Sequence, residues 1–161
     1  METLNGRLVQ RGWRMTAQRR VIATVFDDQV RMSTRAGHDP AHGDIGADAP
    51  GSAADRDGHV HLTADEVHEL ATVVLPEISR ATVYNTLNEL VEAGELLAVH
   101  VGDRLTRYDP NVHHDHHHLV CTGCGAIFDV PGDGPELTSA PVGFVVQSSE
   151  VIFRGRCADC A

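Results

Sequence analysis

Apolar side chains recur at helical spacing near the start of the chain. One apolar stripe begins at Leu4, and a second ends at Val25 and Phe26. Gly12 interrupts the pattern between them, and Thr16 is a residue type that favours the N-cap position of a helix. We therefore predict two helices between residues 4 and 26.

The pattern disappears between residues 27 and 58. This stretch is rich in Gly, Ala, Asp, Pro and Ser and has almost no large apolar side chains. Such a composition buries too little apolar surface to offset the entropy of ordering, so we predict a disordered insert. The alternative is a regulatory loop that binds metal through His38 and His42.

Periodicity returns after residue 59 and predicts two helices and a β-hairpin. Thr63 and Glu66 have the spacing of a capping box, which starts a helix that ends near Val74. Ser79 is the predicted N-cap of the next helix, which ends at Gly94. Two short apolar segments, 96–100 and 105–108, follow around a Gly-Asp turn and predict the hairpin.

The last three of these predicted helices, followed by a two-stranded hairpin, have the order typical of a winged helix-turn-helix. In that arrangement the helix before the hairpin enters the DNA major groove. The N-terminal part of this helix carries side chains that reach phosphates and base edges, namely Arg80, Thr82, Tyr84 and Asn85. The alternative is a helical packing domain whose polar face is simply solvated.

A second, smaller domain is predicted to follow. Residues 1–108 form the winged-helix domain, and residues 109–161 form a small domain with strand-like segments around a cluster of His and Cys. The segment from Gly143 to Cys160 predicts two further strands or a strand pair. The predicted fold class is α+β.

Four cysteines form two Cys-x-x-Cys pairs in this second domain. Two intervening residues let both sulfurs of a pair reach one tetrahedral ion, and two pairs complete a four-cysteine site. A redox motif or paired disulfides are alternatives, but neither explains two matching pairs in a cytosolic chain. We predict structural zinc at Cys121, Cys124, Cys157 and Cys160.

A second group of candidate ligands contains no sulfur. In a strand, His116 and His118 lie on one face, and Asp129 follows on the next strand-like segment. With Asp109 at the domain boundary and His61 before the second predicted capped helix, these residues make a nitrogen–oxygen set that suits Fe²⁺ or Mn²⁺. The alternative is a His-rich linker that only scavenges metal.

Composition narrows the class of protein. The chain has no apolar run long enough for a membrane span and no signal-like segment after its first Met, so a cytoplasmic protein is expected. No nucleophile and base are paired recognisably, so we do not expect an enzyme. The net charge of −10 argues against nonspecific DNA binding, but residues 1–26 carry five Arg and one Glu and are therefore basic.

Several motifs together resemble the ferric uptake regulator family. They are Arg14-x-Thr-x-Gln18-Arg19, His61-x-Thr-Ala-Asp-Glu66, Ala81-Thr-Val-Tyr-Asn-Thr-Leu87, Arg107-Tyr-Asp109 and His116-x-His-x-x-Cys-x-x-Cys-Gly125, followed by the closing Cys-x-x-Cys. They stand in the family's order and cover nearly all of the chain except the insert. The resemblance implies a homodimeric, metal-responsive repressor that binds a palindromic operator in double-stranded DNA, with a winged helix and a C-terminal α/β dimerisation domain.

The peroxide-sensing branch of the family is the most similar. Its three His and two Asp match His61, Asp109, His116, His118 and Asp129, and Asp109 stands where the iron-sensing branch usually has Glu. The resemblance implies that Fe²⁺-dependent peroxide chemistry oxidises His61 or His116. It also implies DNA contacts from Arg14, Gln18 and Arg19 beside the helix residues above.

Two features depart from the family pattern. The insert adds about thirty residues. Extra residues at His113, His114, Asp115 and His117 could complete a further metal site. Two alternatives to the peroxide sensor stay open, namely an iron-sensing repressor without redox chemistry and a zinc-ribbon metal carrier that binds no DNA.

Overall fold

The computed structural model describes residues 2–35, 60–112, 116–131, 138–146 and 149–161. The chain divides into two compact units, Met1–Val112 and His113–Ala161. This division falls four residues later than the boundary expected after residue 108. The reason is that Asp109 ends a strand of the first unit, where it pairs with Leu97.

Two helices open the first unit, as predicted. Helix α1 spans Leu4–Gln10, and helix α2 spans Ala17–Arg35. Gly12 lies between them with a positive φ of 74°, a conformation that glycine adopts without strain. The Thr16 hydroxyl accepts a hydrogen bond from the Arg19 backbone N–H at 3.2 Å, which confirms Thr16 as the N-cap.

The disorder prediction was wrong for residues 27–35, which continue helix α2. Asp27 is buried and accepts hydrogen bonds from the backbone N–H of Leu4 at 2.6 Å and from Asn5, so it caps helix α1. Val30 packs against the hydrophobic core one turn later. Tertiary contacts therefore extend the helix despite a polar sequence, and residues 36–58, with His38 and His42, lie outside the described residues.

The next two helices begin at side-chain caps. Helix α3 spans Ala64–Val74, and both hydrogen bonds of the Thr63–Glu66 capping box are present. Helix α4 spans Arg80–Glu92, and the Ser79 hydroxyl accepts a hydrogen bond from Thr82 N–H at 3.1 Å. Both predicted helix starts are confirmed.

A three-stranded sheet completes the first unit. Strands β2, Leu97–His100, and β3, Thr106–Asp109, form the predicted antiparallel hairpin. Strand β1, Leu62–Thr63, pairs with the other edge of β3, and sequence periodicity did not predict it. The helices and this hairpin make the winged helix-turn-helix.

One hydrophobic core holds these elements together. It draws on all four helices and the sheet, and Phe26, Leu87 and Leu90 are among its fully buried side chains. Its buried members are Leu4, Leu8, Ile22, Ala23, Val25, Phe26, Val60, Leu62, Ala64, Val67, Ala71, Ile78, Val83, Leu87, Leu90, Leu96 and Tyr108.

The second unit is a small sheet with the order β5-β4-β6. Strand β4 spans His116–Cys121, β5 spans Ile127–Pro131, and β6 spans Ile152–Gly155. Strand β5 runs antiparallel to β4, whereas β6 runs parallel to it. Of the two strands expected between Gly143 and Cys160, the described residues show one, β6, followed by a 3₁₀ turn at Ala158–Cys160.

Among the described residues of both units, no helix is long and apolar enough to span a membrane.

Candidate metal centres and DNA-contacting face

The four cysteine sulfurs converge at one end of the second unit. Strand β4 ends at Cys121 and strand β6 ends two residues before Cys157, so their parallel pairing brings the two Cys-x-x-Cys segments together. All four Sγ atoms lie within 4.8 Å of one another. The Cys124 and Cys157 sulfurs are 3.8 Å apart, and no cysteine forms a disulfide.

Two glycines make the first cysteine turn possible. Gly125 has a positive φ of 75°. A Cβ atom on Gly123 would lie 2.8 Å from the Cβ of Cys160, which is too close for any other residue. The turn also aims the Gly123 backbone N–H at the Cys121 sulfur, at 3.4 Å.

The electrostatics of the sulfurs fit a cation. The backbone N–H groups of Cys157 and Cys124 hydrogen-bond to Cys121 and lower the pKa of its thiol to about 6. Contact with the sulfurs of Cys157, Cys124 and Cys121 instead raises the pKa of Cys160 to about 12. The Cys121 thiolate is thus stabilised, whereas deprotonation of Cys160 beside it is unfavourable. A divalent ion bound between the sulfurs would make deprotonation of Cys160 favourable. The four thiol donors fit structural zinc.

A buried group of nitrogen and oxygen donors lies further along the same sheet. His118 is paired with Asp129 across β4 and β5, and His116 lies two residues away on the same face. The Nε2 atoms of His116 and His118 are each 3.7 Å from a different carboxylate oxygen of Asp129. The two imidazole rings are 4.9 Å apart and nearly perpendicular.

A matching pair is present in the first unit. His61 immediately precedes strand β1 and Asp109 ends strand β3, so the pairing of these strands brings the two residues together. The His61 Nε2 atom lies 3.7 Å from Asp109 Oδ2, and both side chains are almost completely buried. The other Asp109 oxygen accepts a hydrogen bond from Asn111 N–H at 2.7 Å.

The three histidine–aspartate distances, each 3.7 Å, indicate how these side chains interact. At 3.7 Å the atoms are too far apart for a good hydrogen bond. Two ligands that each lie about 2.1 Å from one ion are separated by roughly 3 to 4 Å. Both the first-unit and the second-unit pairs therefore have the spacing of adjacent metal ligands.

The extra histidines do not extend this group within the described residues. His117 lies on the opposite face of strand β4, where its ring is 6.2 Å from the Phe153 ring. It is buried, and neither ring nitrogen has a hydrogen-bond partner among the described residues. His113, His114 and Asp115 lie outside the described residues, so the further site stays a prediction.

Residues 54–140 match the ferric uptake regulator family. The chain belongs to this family. It is 36% identical over 107 residues to the transcriptional regulator FurA of Mycobacterium tuberculosis, a match that covers 64% of this chain and 73% of FurA. It is 32% identical over 106 residues to the peroxide-responsive repressor PerR of Staphylococcus aureus, covering 63% of this chain and 71% of PerR.

A solved structure supports the fold. The ferric uptake regulator of Francisella tularensis, solved with iron, superposes with a TM-score of 0.61 at 17% identity, covering 92% of this chain and 95% of that one. The family consists of metal-responsive transcriptional regulators, which bind DNA as dimers and are not enzymes. The sequence resemblance to this family is thereby confirmed.

The predicted recognition helix, α4, exposes the expected polar side chains. Tyr84 is 46% exposed, Asn85 is exposed and Thr82 is half-buried. Arg80 is exposed and forms an ion pair with Asp65 of helix α3. On the N-terminal side of helix α2, Arg14 and Gln18 are exposed.

Arg19 has a different environment from the other predicted DNA contacts. Its guanidinium forms an ion pair with Glu89 of helix α4 at 2.5 Å and donates a hydrogen bond to the Arg14 carbonyl at 2.6 Å. It also lies 4.8 Å from the centre of the Trp13 ring. Arg19 thus joins the start of helix α2 to the recognition helix.

Sequence reasoning missed a buried ion-pair network at Glu95. Arg7 Nε lies 2.9 Å from Glu95 Oε2, and Arg11 Nε lies 3.1 Å from Oε1. Arg7 also donates hydrogen bonds to the carbonyls of Glu95 and Pro110. The available signal was the position of Glu95, a charged residue between the helix-ending Gly94 and the apolar Leu96.

Proposed function

We propose that this chain is a metal-dependent repressor that binds a palindromic operator as a homodimer. Its regulatory ion is held by His61, Asp109, His116, His118 and Asp129. The observation that carries the proposal is the presence in each unit of a buried histidine–carboxylate pair with the spacing of adjacent metal ligands.

The donor set favours a particular class of metal. Imidazole nitrogens and carboxylate oxygens without any thiolate suit Fe²⁺ and Mn²⁺, whereas the separate sulfur cluster suits zinc. Structural neighbours were solved with both of these metals, namely the Francisella tularensis regulator with iron and the Pseudomonas aeruginosa regulator with manganese.

The division of the ligands between two units explains how occupancy controls DNA binding. His61 and Asp109 belong to the winged helix, and the other three ligands belong to the second unit. An ion that takes ligands from both units fixes one unit against the other. In a homodimer this sets the separation of the two recognition helices, which must match the spacing of the operator half-sites.

The residues that contact DNA in this proposal are polar side chains at the start of helices α2 and α4, all exposed except the half-buried Thr82. They are Arg14, Gln18, Arg80, Thr82, Tyr84 and Asn85. Arg19 holds helix α2 against α4 through Glu89 and thereby positions the others.

The finer part of the proposal concerns the signal, which we infer to be peroxide. Fe²⁺ held by these residues would supply the electron that starts peroxide reduction, whereas Mn²⁺ would not drive this chemistry. In the net reaction one peroxide oxygen enters a carbon–hydrogen bond of the His61 or His116 ring, and the other leaves as water. The oxidised imidazole is a poorer ligand, so the buried pair loses a donor and the repressor leaves DNA.

Mobility-shift assays with the zinc-loaded chain test the metal dependence. We expect Mn²⁺ to induce a shift on the operator, and we expect Asp129→Asn and His61→Ala to abolish it while zinc content and the dimer persist. Glu69→Gln, an exposed change on helix α3, serves as the control. A chain that binds operator equally well with and without Mn²⁺ contradicts the proposal, and one that binds no DNA favours the metal-carrier alternative.

Mass spectrometry tests the peroxide signal. After peroxide treatment of the Fe²⁺-loaded chain, the peptides that carry His61 or His116 are expected to gain one oxygen atom, and those of the Mn²⁺-loaded chain are not. Unmodified peptides together with iron-dependent DNA binding would support the iron-sensing alternative. The 36% identity to the ferric uptake regulation protein of Bacillus subtilis supports that second candidate.

A further inference from the structure

A carboxylate outside the five proposed ligands lies beside one of them. Glu150 Oε1 is 3.6 Å from the Nδ1 atom of His118. The Nε2 atom of the same ring is 3.7 Å from Asp129. The two nitrogens of His118 therefore face two different carboxylates.

The backbone holds Glu150 in this place. The His118 backbone N–H donates a hydrogen bond to the carbonyl of Val151 at 3.1 Å, and His118 is paired with Ile152 in the parallel strands β4 and β6. Glu150 is the residue before Val151 in the chain. The sheet thus places the backbone of Glu150 beside His118, within reach of its ring.

We propose that Glu150 is a positioning residue for the regulatory ion, because it accepts the Nδ1 proton of His118. This inference rests on the proposed function. A neutral imidazole has one donor nitrogen and one acceptor nitrogen. A carboxylate at Nδ1 favours the form with the proton on that atom, which leaves the Nε2 lone pair directed toward Asp129 and the ion.

The geometry separates this role from direct ligation. The Nε2 atoms of His116 and His118 both face Asp129, whereas Glu150 faces the other nitrogen of the His118 ring. The 3.6 Å contact is too long for a hydrogen bond, and the proposal requires the 43% exposed Glu150 side chain to move closer to Nδ1 by a few tenths of an ångström.

The pairing that positions Glu150 also leads to the sulfur cluster. Strands β4 and β6 run in parallel into Cys121 and Cys157. Zinc bound at the four sulfurs holds the ends of these strands together and so keeps Glu150 beside His118. The experiments therefore use the full chain with zinc bound.

The first experiment reads the tautomer of His118 before any regulatory metal is added. Nitrogen-15 NMR of the zinc-loaded chain, assigned with a His118→Gln spectrum, is expected to show the proton on Nδ1. Glu150→Gln keeps an acceptor oxygen at the same length and should retain this form largely, whereas Glu150→Leu should shift the ring toward the other tautomer. An unchanged tautomer in Glu150→Leu overturns the proposal.

The second experiment measures Mn²⁺ binding to the same zinc-loaded variants by electron paramagnetic resonance of free Mn²⁺. Loss of a partner of this kind weakens metal affinity about 10- to 100-fold. We expect that loss for Glu150→Leu, an intermediate loss for Glu150→Gln and none for the control Glu69→Gln. A Glu150→Leu affinity within about twofold of the parent also overturns the proposal.

Asp129→Asn separates this inference from the function on which it rests. If Asp129→Asn leaves Mn²⁺ binding unchanged, the regulatory site itself is wrongly assigned. If Asp129→Asn abolishes binding and Glu150→Leu has no effect, only the role of Glu150 is refuted.

Discussion

The two units of this protein are stabilised by different means. In the first unit, seventeen buried apolar residues from four helices and a sheet form one continuous core. In the described part of the second unit, the buried apolar residues are Val120, Cys121 and Ile127 alone, and the sheet ends in four convergent sulfurs. Burial of apolar surface is extensive in the first unit, whereas the second unit has little of it and has a four-cysteine group that fits zinc.

This difference suits a regulator whose DNA-contacting face must stay folded while its metal content changes. The first unit keeps its recognition helix in place through the core and through side-chain caps. The second unit supplies most of the proposed regulatory ligands on a sheet whose strands lead to the four-cysteine group. Mutations in the two units should therefore have separable effects, and the one tryptophan of the chain, Trp13, reports on the first unit alone.

The largest expected effect is that of Cys160→Ser. It removes one thiolate from the sulfur cluster, and zinc binding supplies about 10 kcal/mol or more to the folding of small zinc domains. We expect loss of zinc and of the second-unit fold, with an unchanged unfolding transition for Trp13. Zinc analysis and fluorescence-monitored urea titration measure the two outcomes.

Ala158→Ser is the matched control for this change, because it places the same side chain in the same 3₁₀ turn without removing a ligand. It should retain zinc. A Cys160→Ser chain that also loses the Trp13 transition would show that the two units do not fold independently.

The next largest effect is expected for Arg7→Met in the first unit. It leaves the fully buried Glu95 with Arg11 as its one remaining ionic partner among the described residues. Breaking a buried ion pair costs about 3 kcal/mol or more. The Trp13 transition should move to lower urea, while zinc affinity stays the same.

Arg14→Met is a suitable control, since the Arg14 side chain is exposed and outside this network. If Arg7→Met costs less than about 1 kcal/mol, Arg11 alone neutralises Glu95 and the network is weaker than the geometry indicates.

Thr63→Ala tests the capping box at the start of helix α3. The change leaves the Glu66 backbone N–H without its hydroxyl acceptor, which costs about 1 kcal/mol. Urea denaturation followed by Trp13 measures the loss. Thr72→Ala, later in the same helix, should have a smaller effect, and equal losses would argue against a specific role for the cap.

The smallest effect is expected for Asp103→Asn in the β2–β3 hairpin. The Arg107 guanidinium hydrogen-bonds to Asp103 and lowers the pKa of its carboxyl from 3.8 to about 2. The pair therefore stabilises the fold fully above pH 3.8 and loses its contribution as the pH falls through about 2. Because Asp103 is 42% exposed, the contribution is at most about 1 kcal/mol.

Urea midpoints of the parent and Asp103→Asn chains, measured from pH 7 down to about pH 2, provide the test. The difference between the two chains should be constant near neutral pH and shrink toward zero at the acidic end. If the difference grew as the pH falls, the ionised Asp103 carboxylate would not stabilise the fold, and the prediction would be wrong.

The sequence predicted features whose signal is local. The side chains of Thr63 and Ser79 mark helix starts because each cap hydrogen-bonds to a residue only three positions further along the chain. The Cys-x-x-Cys spacing is likewise a local pattern, and it predicts a turn that can bind a metal. Strand β1 was missed because two residues have no detectable periodicity, and its pairing with Tyr108 is a tertiary contact.

Charged and polar residues account for the other features that the sequence did not reveal. Residues 27–35 resemble a disordered segment in composition, yet Asp27 and Val30 are fixed by contacts with helix α1 and the core. The partners of Glu95 and Arg19 are distant in sequence, at separations of 88 residues to Arg7 and 70 residues to Glu89. No local pattern specifies such pairs.

Because several of these arginines form ion pairs within the protein, fewer of them are available to bind the phosphate groups of DNA. Of the five arginines in residues 1–26, Arg7 and Arg11 share Glu95, which balances one of their two charges, and Arg19 is paired with Glu89. Each phosphate contact that displaces condensed counterions adds about 0.9 to the slope of log affinity against log salt. Few such contacts remain for a chain with a net charge of −10, so operator affinity should depend only weakly on ionic strength and mostly on shape and base contacts.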